Sequence, residues 1–378
     1  MPIYDFYGNT KMPYDFLGNA VTAYDFYGNL AGDYNEATTD YEQAILTARD
    51  AWIAEARSDS TVLPVIIHTD QHGKLTASNT LFTYLSKAVP WDVASACIGL
   101  GDVNNYSEAA FQKMDTCLSA IPKKNRIDIW GNHDTWTENW YDDIEPPSAS
   151  ELAVLNQYFD NSQYNGNHRY NDFGIEYMID EARKVKYVVI AGWEYDLALG
   201  GHGHFVIGSD SMDYIIQMLS ANDGYDIVIL SHIQPFSNQT KESWTRPNVE
   251  DSSLNTTGGM EYAVGTVVFS GDTSIDQMLI DRKNKASGTA KDSYGNAHSY
   301  DFTNCNSDLI CCFAGHEHCD KYMWQNGNIP VYLFDAYAYD NRPFYFVNVD
   351  RTKARLNIWK IDETQMVYNF QIPFDAPA

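Results

Sequence analysis

The chain has 378 residues and a formal net charge of −26, from 51 acidic against 25 basic side chains. A hydrophobic share of 44%, with 14% aromatic residues, is that of a globular protein with a substantial core, in one large domain or two ordinary ones. The acidity excludes nucleic-acid backbones and anionic membranes as main partners, but not a small phosphate held through cations that reverse the sign locally.

Met1-Pro2-Ile3-Tyr4-Asp5 has neither the basic start nor the apolar stretch of a signal peptide. No run approaches the ~18 apolar residues of a membrane span. A cytoplasmic location is expected, with a virion- or cell-surface-associated one as the alternative. The unit Tyr4-Asp5-Phe6-Tyr7-Gly8-Asn9 recurs at Tyr14–Asn19 and Tyr24–Asn29. Asp and Gly-Asn at these offsets suit tight turns, and so small a unit must pack on something or stay loose. Residues 1–32 are therefore read as an appendage serving homo-oligomerisation or attachment to a larger assembly. Thr39 and Glu42 have capping-box spacing ahead of the stripe Tyr41, Ile45, Ala48 and Trp52, which predicts a connecting helix within 33–59.

Over 60–378, short apolar runs alternate with amphipathic segments. The runs are Val62–Ile67, Ala96–Leu100, Ile127–Trp130, Val185–Ala191, Ile227–Leu230 and Leu309–Phe313. Helices are expected near Ser107–Ala120, Ser148–Phe159 and Met212–Ser220. The alternation predicts an α/β domain with buried strands. Residues 238–307 are polar and read as an insertion with one helix near Ser274–Lys285. Val331–Phe334, Phe344–Val349 and Leu356–Ile361 read as consecutive antiparallel strands. The six cysteines are scattered, with no C-x-x-C pair and no disulfide framework.

Five of the runs are followed by polar groups of one chemical character. They are Asp70-Gln71-His72, then Gly101-Asp102, then Gly131-Asn132-His133-Asp134, then Ser231-His232, then Gly315-His316-Glu317-His318. Strand ends are the usual seat of chemistry in layered α/β folds. Two aspartates, an asparagine and four histidines suit divalent transition metals (Mn, Fe or Zn) better than Ca²⁺. Two ions ~3.5–4 Å apart need a bridging carboxylate, for which Asp102 is the candidate.

This ordered set resembles the signature of the calcineurin-like metallophosphoesterases, over about residues 60–320. The resemblance implies a four-layer α/β/β/α sandwich, here with the N-terminal repeats added, hydrolysing a phosphomonoester or phosphodiester. It implies one metal on Asp70, His72, Asp102 and His318, another on Asp102, Asn132, His232 and His316, and His133 as the catalytic histidine, acting in protonated form. Protein Ser/Thr phosphatases of this family have G-D-x-x-D-R-G; here Asn105 and Tyr106 replace the last acid and the arginine. Asn105, Asp134, Trp136 and His204 are expected around the ligands or against substrate. Trp136 could stack on a substrate ring or simply pack its loop, and His204 lies in a Gly-His-Gly-His stretch that could form a lid. The rival readings are a virion- or surface-associated structural protein carrying this fold and a surface-polymer phosphodiesterase, either anchored by the repeats.

Overall fold

The computed structural model describes residues 3–4, 10–11, 23–24, 30–31, 40–74, 89–104, 107–119, 121–135, 148–164, 168–169, 174–190, 194–195, 205–236, 275–316, 318, 320–326, 328–336, 343–361 and 367–376. At the N-terminus β1 (Ile3–Tyr4) pairs antiparallel with β2 (Thr10–Lys11), and β3 (Ala23–Tyr24) with β4 (Leu30–Ala31). Tyr4 lies opposite Thr10 and Tyr24 opposite Leu30, so the two pairs share one register. The second unit and the expected cap Thr39 lie outside the described residues.

Helix α1 (Asp40–Ser58) buries Ile45, Ala48 and Trp52, three of the four residues of the stripe expected from sequence. Then come β5 (Val62–His68), β6 (Ala96–Gly99), α2 (Glu108–Cys117), β7 (Arg126–Asp128) and α3 (Ala149–Tyr158). Helix α3 starts at a capping box, in which Ser148 Oγ accepts the Glu151 N–H and the Glu151 carboxylate accepts the Ser148 N–H. Next are β8 (His168–Arg169), β9 (Glu176–Asp180), β10 (Val185–Val189), β11 (Glu194–Tyr195), β12 (Phe205–Val206), α4 (Ser209–Ser220) and β13 (Asp226–Ser231). After them run α5 (Ile275–Asn284), β14 (Ser287–Lys291), β15 (Ala297–Asp301) and β16 (Leu309–Ala314). The chain closes with β17 (Lys321–Gln325), β18 (Ile329–Leu333), β19 (Phe344–Asp350), β20 (Arg355–Ile361) and β21 (Tyr368–Pro373).

Two large mixed sheets carry the fold. One has the order β21-β20-β19-β5-β6-β7 and the other β17-β18-β16-β13-β10-β9-β8. Strands β5, β6 and β7 run parallel in the first, and β10, β13, β16 and β18 in the second. Val228 and Leu230 of β13 pack in a cluster shared with Ile66, Ile98 and Val347 of the first sheet. Their neighbours Ile227 and Ile229 pack instead with Met212 and Ile215 of α4 and Met278 of α5. The period-2 alternation of a strand thus gives each face of β13 its own core.

One expectation is corrected. Strands β19 and β20 are antiparallel, but Ile329–Leu333 does not join them; it lies parallel to β16 in the other sheet. Its partners are set by the register Cys312–Val331 and Ala314–Leu333, which places it beside the chain that leads into His316.

Helix α1 is fastened to the first sheet by polar bonds. Trp52 Nε1 donates to the Val347 carbonyl at 3.1 Å, and Asn348 Nδ2 to the Trp52 carbonyl at 3.0 Å. Burial raises the Glu55 pKa, but bonds from Asn348, Asn357, Lys353 and Arg355 outweigh it and hold the group at about 2. A depressed carboxyl stabilises the fold above its unfolded value, near 4.5, and loses that contribution as pH falls toward 2. Glu55→Gln is expected to cost roughly 1–2 kcal/mol at pH 7, a value kept small because solvent screens part of the cluster. The gap between wild type and variant in denaturant melts should narrow steadily from pH 4.5 to pH 2.

Candidate metal centre

Five strand ends deliver the residues singled out from sequence. Asp70 and His72 follow β5, Asp102 follows β6, and Asn132 and His133 follow β7, all in the first sheet. His232 follows β13, and His316 and His318 follow β16, in the second. The strands in each set are parallel, so their ends meet at one edge. Asp70, His72, Asp102 and His318 each place a potential ligand atom within 4.8 Å of the others, and Asp102, His232 and His316 do the same. Asp102 is common to both groups. Asn132 Oδ1 stands 3.0 Å from His232 Nε2, which joins it to the second group.

The backbone is strained where these groups are presented. Nine described non-glycine residues have positive φ, and Asp70, His72, Asp102, His316 and His318 are five of them, at 52°, 41°, 55°, 70° and 51°. Such conformations persist only where the surroundings over-determine them, and they concentrate at functional sites. Gly131 and Gly315 permit the crowding. A Cβ on Gly131 would lie 2.0 Å from Asp102 Oδ1, and one on Gly315 would lie 2.2 Å from Thr69 Oγ1.

Asp134 explains how two of the loops are locked. Its Oδ2 accepts the N–H groups of Asp102 and Gly131, both at 2.8 Å, and its Oδ1 accepts that of Asn104 at 3.2 Å. In return Asp102 Oδ1 accepts the His133 N–H at 2.8 Å. The Asp134 side chain is wholly buried, so it serves the loops and has no face for a substrate. Burial, and then the neighbouring Asp102, push its pKa up to about 8.

With Oδ1 so engaged, Asp102 Oδ2 is a buried carboxylate oxygen turned toward imidazole nitrogens. It faces His232 Nε2 at 3.2 Å, His72 Nε2 at 3.8 Å and His133 Nε2 at 3.9 Å. Burial works against the charge on Asp102, yet these histidines hold its pKa far below the usual carboxylate range. His232 Nδ1 lies 2.6 Å from the Leu100 carbonyl and donates to it, which leaves Nε2 turned to Asp102 and Asn132. Burial lowers His232, but Asp102, Asp70 and the Leu100 carbonyl raise it further, to about 9. His316 and His133 are held at about 4, chiefly by burial. His72 Nε2 and His318 Nε2 stand 3.0 Å apart, and His318 Nε2 is 3.1 Å from Asp70 Oδ1. Imidazole nitrogens and carboxylate oxygens converging in this way fit metal binding by both groups.

Three solved structures resemble this one. They are a dimetal phosphatase from Danio rerio (11% identity, TM-score 0.45, 83% of this chain and 99% of that one), the phosphopantetheinyl hydrolase of Mycobacterium tuberculosis (11%, 0.40, 74% and 91%), and GAP50, the anchor in the inner membrane complex of Plasmodium (9%, 0.41, 84% and 90%). No family model and no curated protein sequence matches the chain.

Asn105, Trp136 and His204 lie outside the described residues, as do Tyr106, Glu317 and Cys319. Sequence reasoning passed over Thr69, whose hydroxyl donates to Asp70 Oδ2 at 2.6 Å and fixes that carboxylate from the adjacent position. Its signal was only its place at the end of a strand, before an aspartate. Among the described residues, no helix is long and apolar enough to cross a membrane.

Proposed function

We propose that the chain is a dinuclear metal-dependent phosphoric ester hydrolase of the calcineurin-like metallophosphoesterase type, with the four-layer arrangement of that family. The observation that supports this reading most is the buried carboxylate of Asp102, shared by two groups of converging ligand atoms. Asp70, His72, Asp102 and His318 would hold one ion, and Asp102, Asn132, His232 and His316 the other. The mixed oxygen and imidazole donors suit Mn²⁺, Fe or Zn²⁺. When bound, two such ions clamp phosphoryl oxygens and acidify the attacking water. Asp102 keeps the two groups in register through its bonds to the 131–134 loop. His133 is held by its main chain to Asp102 and stands edge-on to His72, with ring centroids 4.7 Å apart. It is placed to donate a proton to the leaving oxygen of the ester.

Residues 60–378 are assigned the chemistry, 33–59 the connecting helix, and 1–32 attachment or assembly. The test is turnover of p-nitrophenyl phosphate and bis-p-nitrophenyl phosphate by protein stripped with chelator and then reloaded with Mn²⁺ or Zn²⁺. Hydrolysis of one or both esters, abolished by chelator and restored by metal, is expected. Protein that carries two ions and turns over neither ester favours the structural rival.

A further inference from the structure

The ligands come from two different sheets, so the centre depends on how those sheets are held together at this edge. Two of the donors, His316 and His318, sit on a single loop between β16 and β17, and both have positive φ. Its entry is fixed where Gly315 N donates to the His232 carbonyl at 2.9 Å. In its middle His316 N donates to Asp70 Oδ2 at 3.0 Å. Its exit is fixed by Asp320, two residues beyond His318.

Asp320 reaches across to the other sheet. Its Oδ1 accepts from Tyr345 OH of β19 at 2.6 Å and from Tyr332 OH of β18 at 2.9 Å, and its Oδ2 accepts from Lys360 Nζ of β20. Tyr345 and Lys360 are directly opposed residues of neighbouring strands, so together they present one hydroxyl and one ammonium to the incoming carboxylate. Lys360 also donates to Asp335 Oδ2 at 3.0 Å, and Tyr345 OH accepts the Asp335 N–H at 3.1 Å. Asp335 follows β18 closely, and β18 lies alongside the end of β16. The exit of the histidine loop is thereby tied to both sheets through one largely buried carboxylate, 13% exposed like its lysine partner.

A buried ion pair contributes little net stability, because desolvation offsets most of the attraction. Its directional bonds do fix geometry. We propose that Asp320, with Lys360 and Tyr345, is a positioning strut that sets His318 against Asp70 and His72 and so governs metal occupancy of that group alone. This rests on the two-ion reading above. His316 is anchored independently, by its own N–H and by the entry of the loop, so the group of Asp102, His232 and His316 is expected to be indifferent to the strut.

The test is calorimetric titration of the chelator-stripped full chain with Zn²⁺, with wild type expected to show two binding events. Asp320→Asn keeps an oxygen for the two tyrosines but loses the charge facing Lys360. It should weaken one event by about 10–100-fold, the usual effect of removing a residue that orients a ligand, and move the other by less than about threefold. Lys360→Met should weaken the same event. In a His318→Ala background, Asp320→Asn should have no additional effect on metal binding, because the residue it acts through is gone. Two unchanged events in Asp320→Asn and Lys360→Met overturn the strut while leaving the metal centre standing. Equal weakening of both events, or a further loss in the His318→Ala background, also overturns it by showing a general structural role. Wild type without two events instead removes the two-ion reading, and the strut with it. Should Asp320→Asn fail to fold, Lys360→Met and Tyr345→Phe decide the matter by the same criteria.

Discussion

Asp102→Ala is expected to abolish stoichiometric binding of both ions, not just one. Asp102 alone belongs to both donor groups. Its removal deletes the carboxylate oxygen nearest both His232 and His72, at 3.2 and 3.8 Å against 4.0 Å for Asp70 Oδ1. It also leaves the His133 N–H without its acceptor and loosens the crowded approach to Gly131. A partner that merely orients a ligand costs 10–100-fold in affinity when mutated, so loss of a shared anionic ligand should cost more than about 100-fold at each site. Metal analysis after reconstitution and gel filtration should find almost no ion on the variant and two on wild type. Asp102→Asn separates charge from shape: it keeps an oxygen for the His133 N–H and should fold, yet still bind poorly. A variant that retained two ions would remove Asp102 from the bridging role.

Much of this centre was legible because of where its residues stand. Asp70, Asp102, Asn132, His232 and His316 each follow a buried apolar run, and a run that ends at a side chain of ligand type marks both a strand and a candidate donor. The third run shows the limit. Ile127–Trp130 reads as a strand, but the strand ends at Asp128, after one last bond from the Ile129 N–H to the Gly99 carbonyl at 2.9 Å. Ile129 and Trp130 are still buried, and their hydrophobicity cannot report that the ladder has ended.

The hairpin of β14 and β15 was hidden for the opposite reason. Only Ala290 and Tyr300 are buried along its strands, so its residues look like the polar loop around them. Partnership between sheets was the least visible property. Nothing near Asp320, Tyr345 or Lys360 marks them as neighbours, and they meet only because β18 crosses into the second sheet while β19 returns to the first. Asp134 stood in view within Gly-Asn-His-Asp, but its three backbone acceptor bonds appear only when two loops are brought face to face.

His133→Gln should lower kcat by roughly 10²–10⁴-fold, the range for removal of a general acid, with little change in metal content. The side chain belongs to neither donor group, and its attachment to Asp102 runs through the main chain, which glutamine preserves. Burial, opposed by the Asp102 carboxylate, lowers the ring to about 4. In this setting the proton has to be favoured by the substrate itself, since an anionic phosphoryl group beside the ring stabilises imidazolium. The loss should therefore depend on the leaving group. An alkyl phosphate, whose departing oxygen is strongly basic, needs the proton and should show the full decrease. A p-nitrophenyl ester leaves as a weakly basic phenolate and should be affected about tenfold less. Glutamine can still donate a hydrogen bond, so KM should move less than kcat. Paired measurements on an alkyl and an aryl ester, with metal analysis of the same samples, test all of this together. Equal losses on the two esters would deny His133 the role of proton donor, and loss of an ion from the variant would make it a ligand instead.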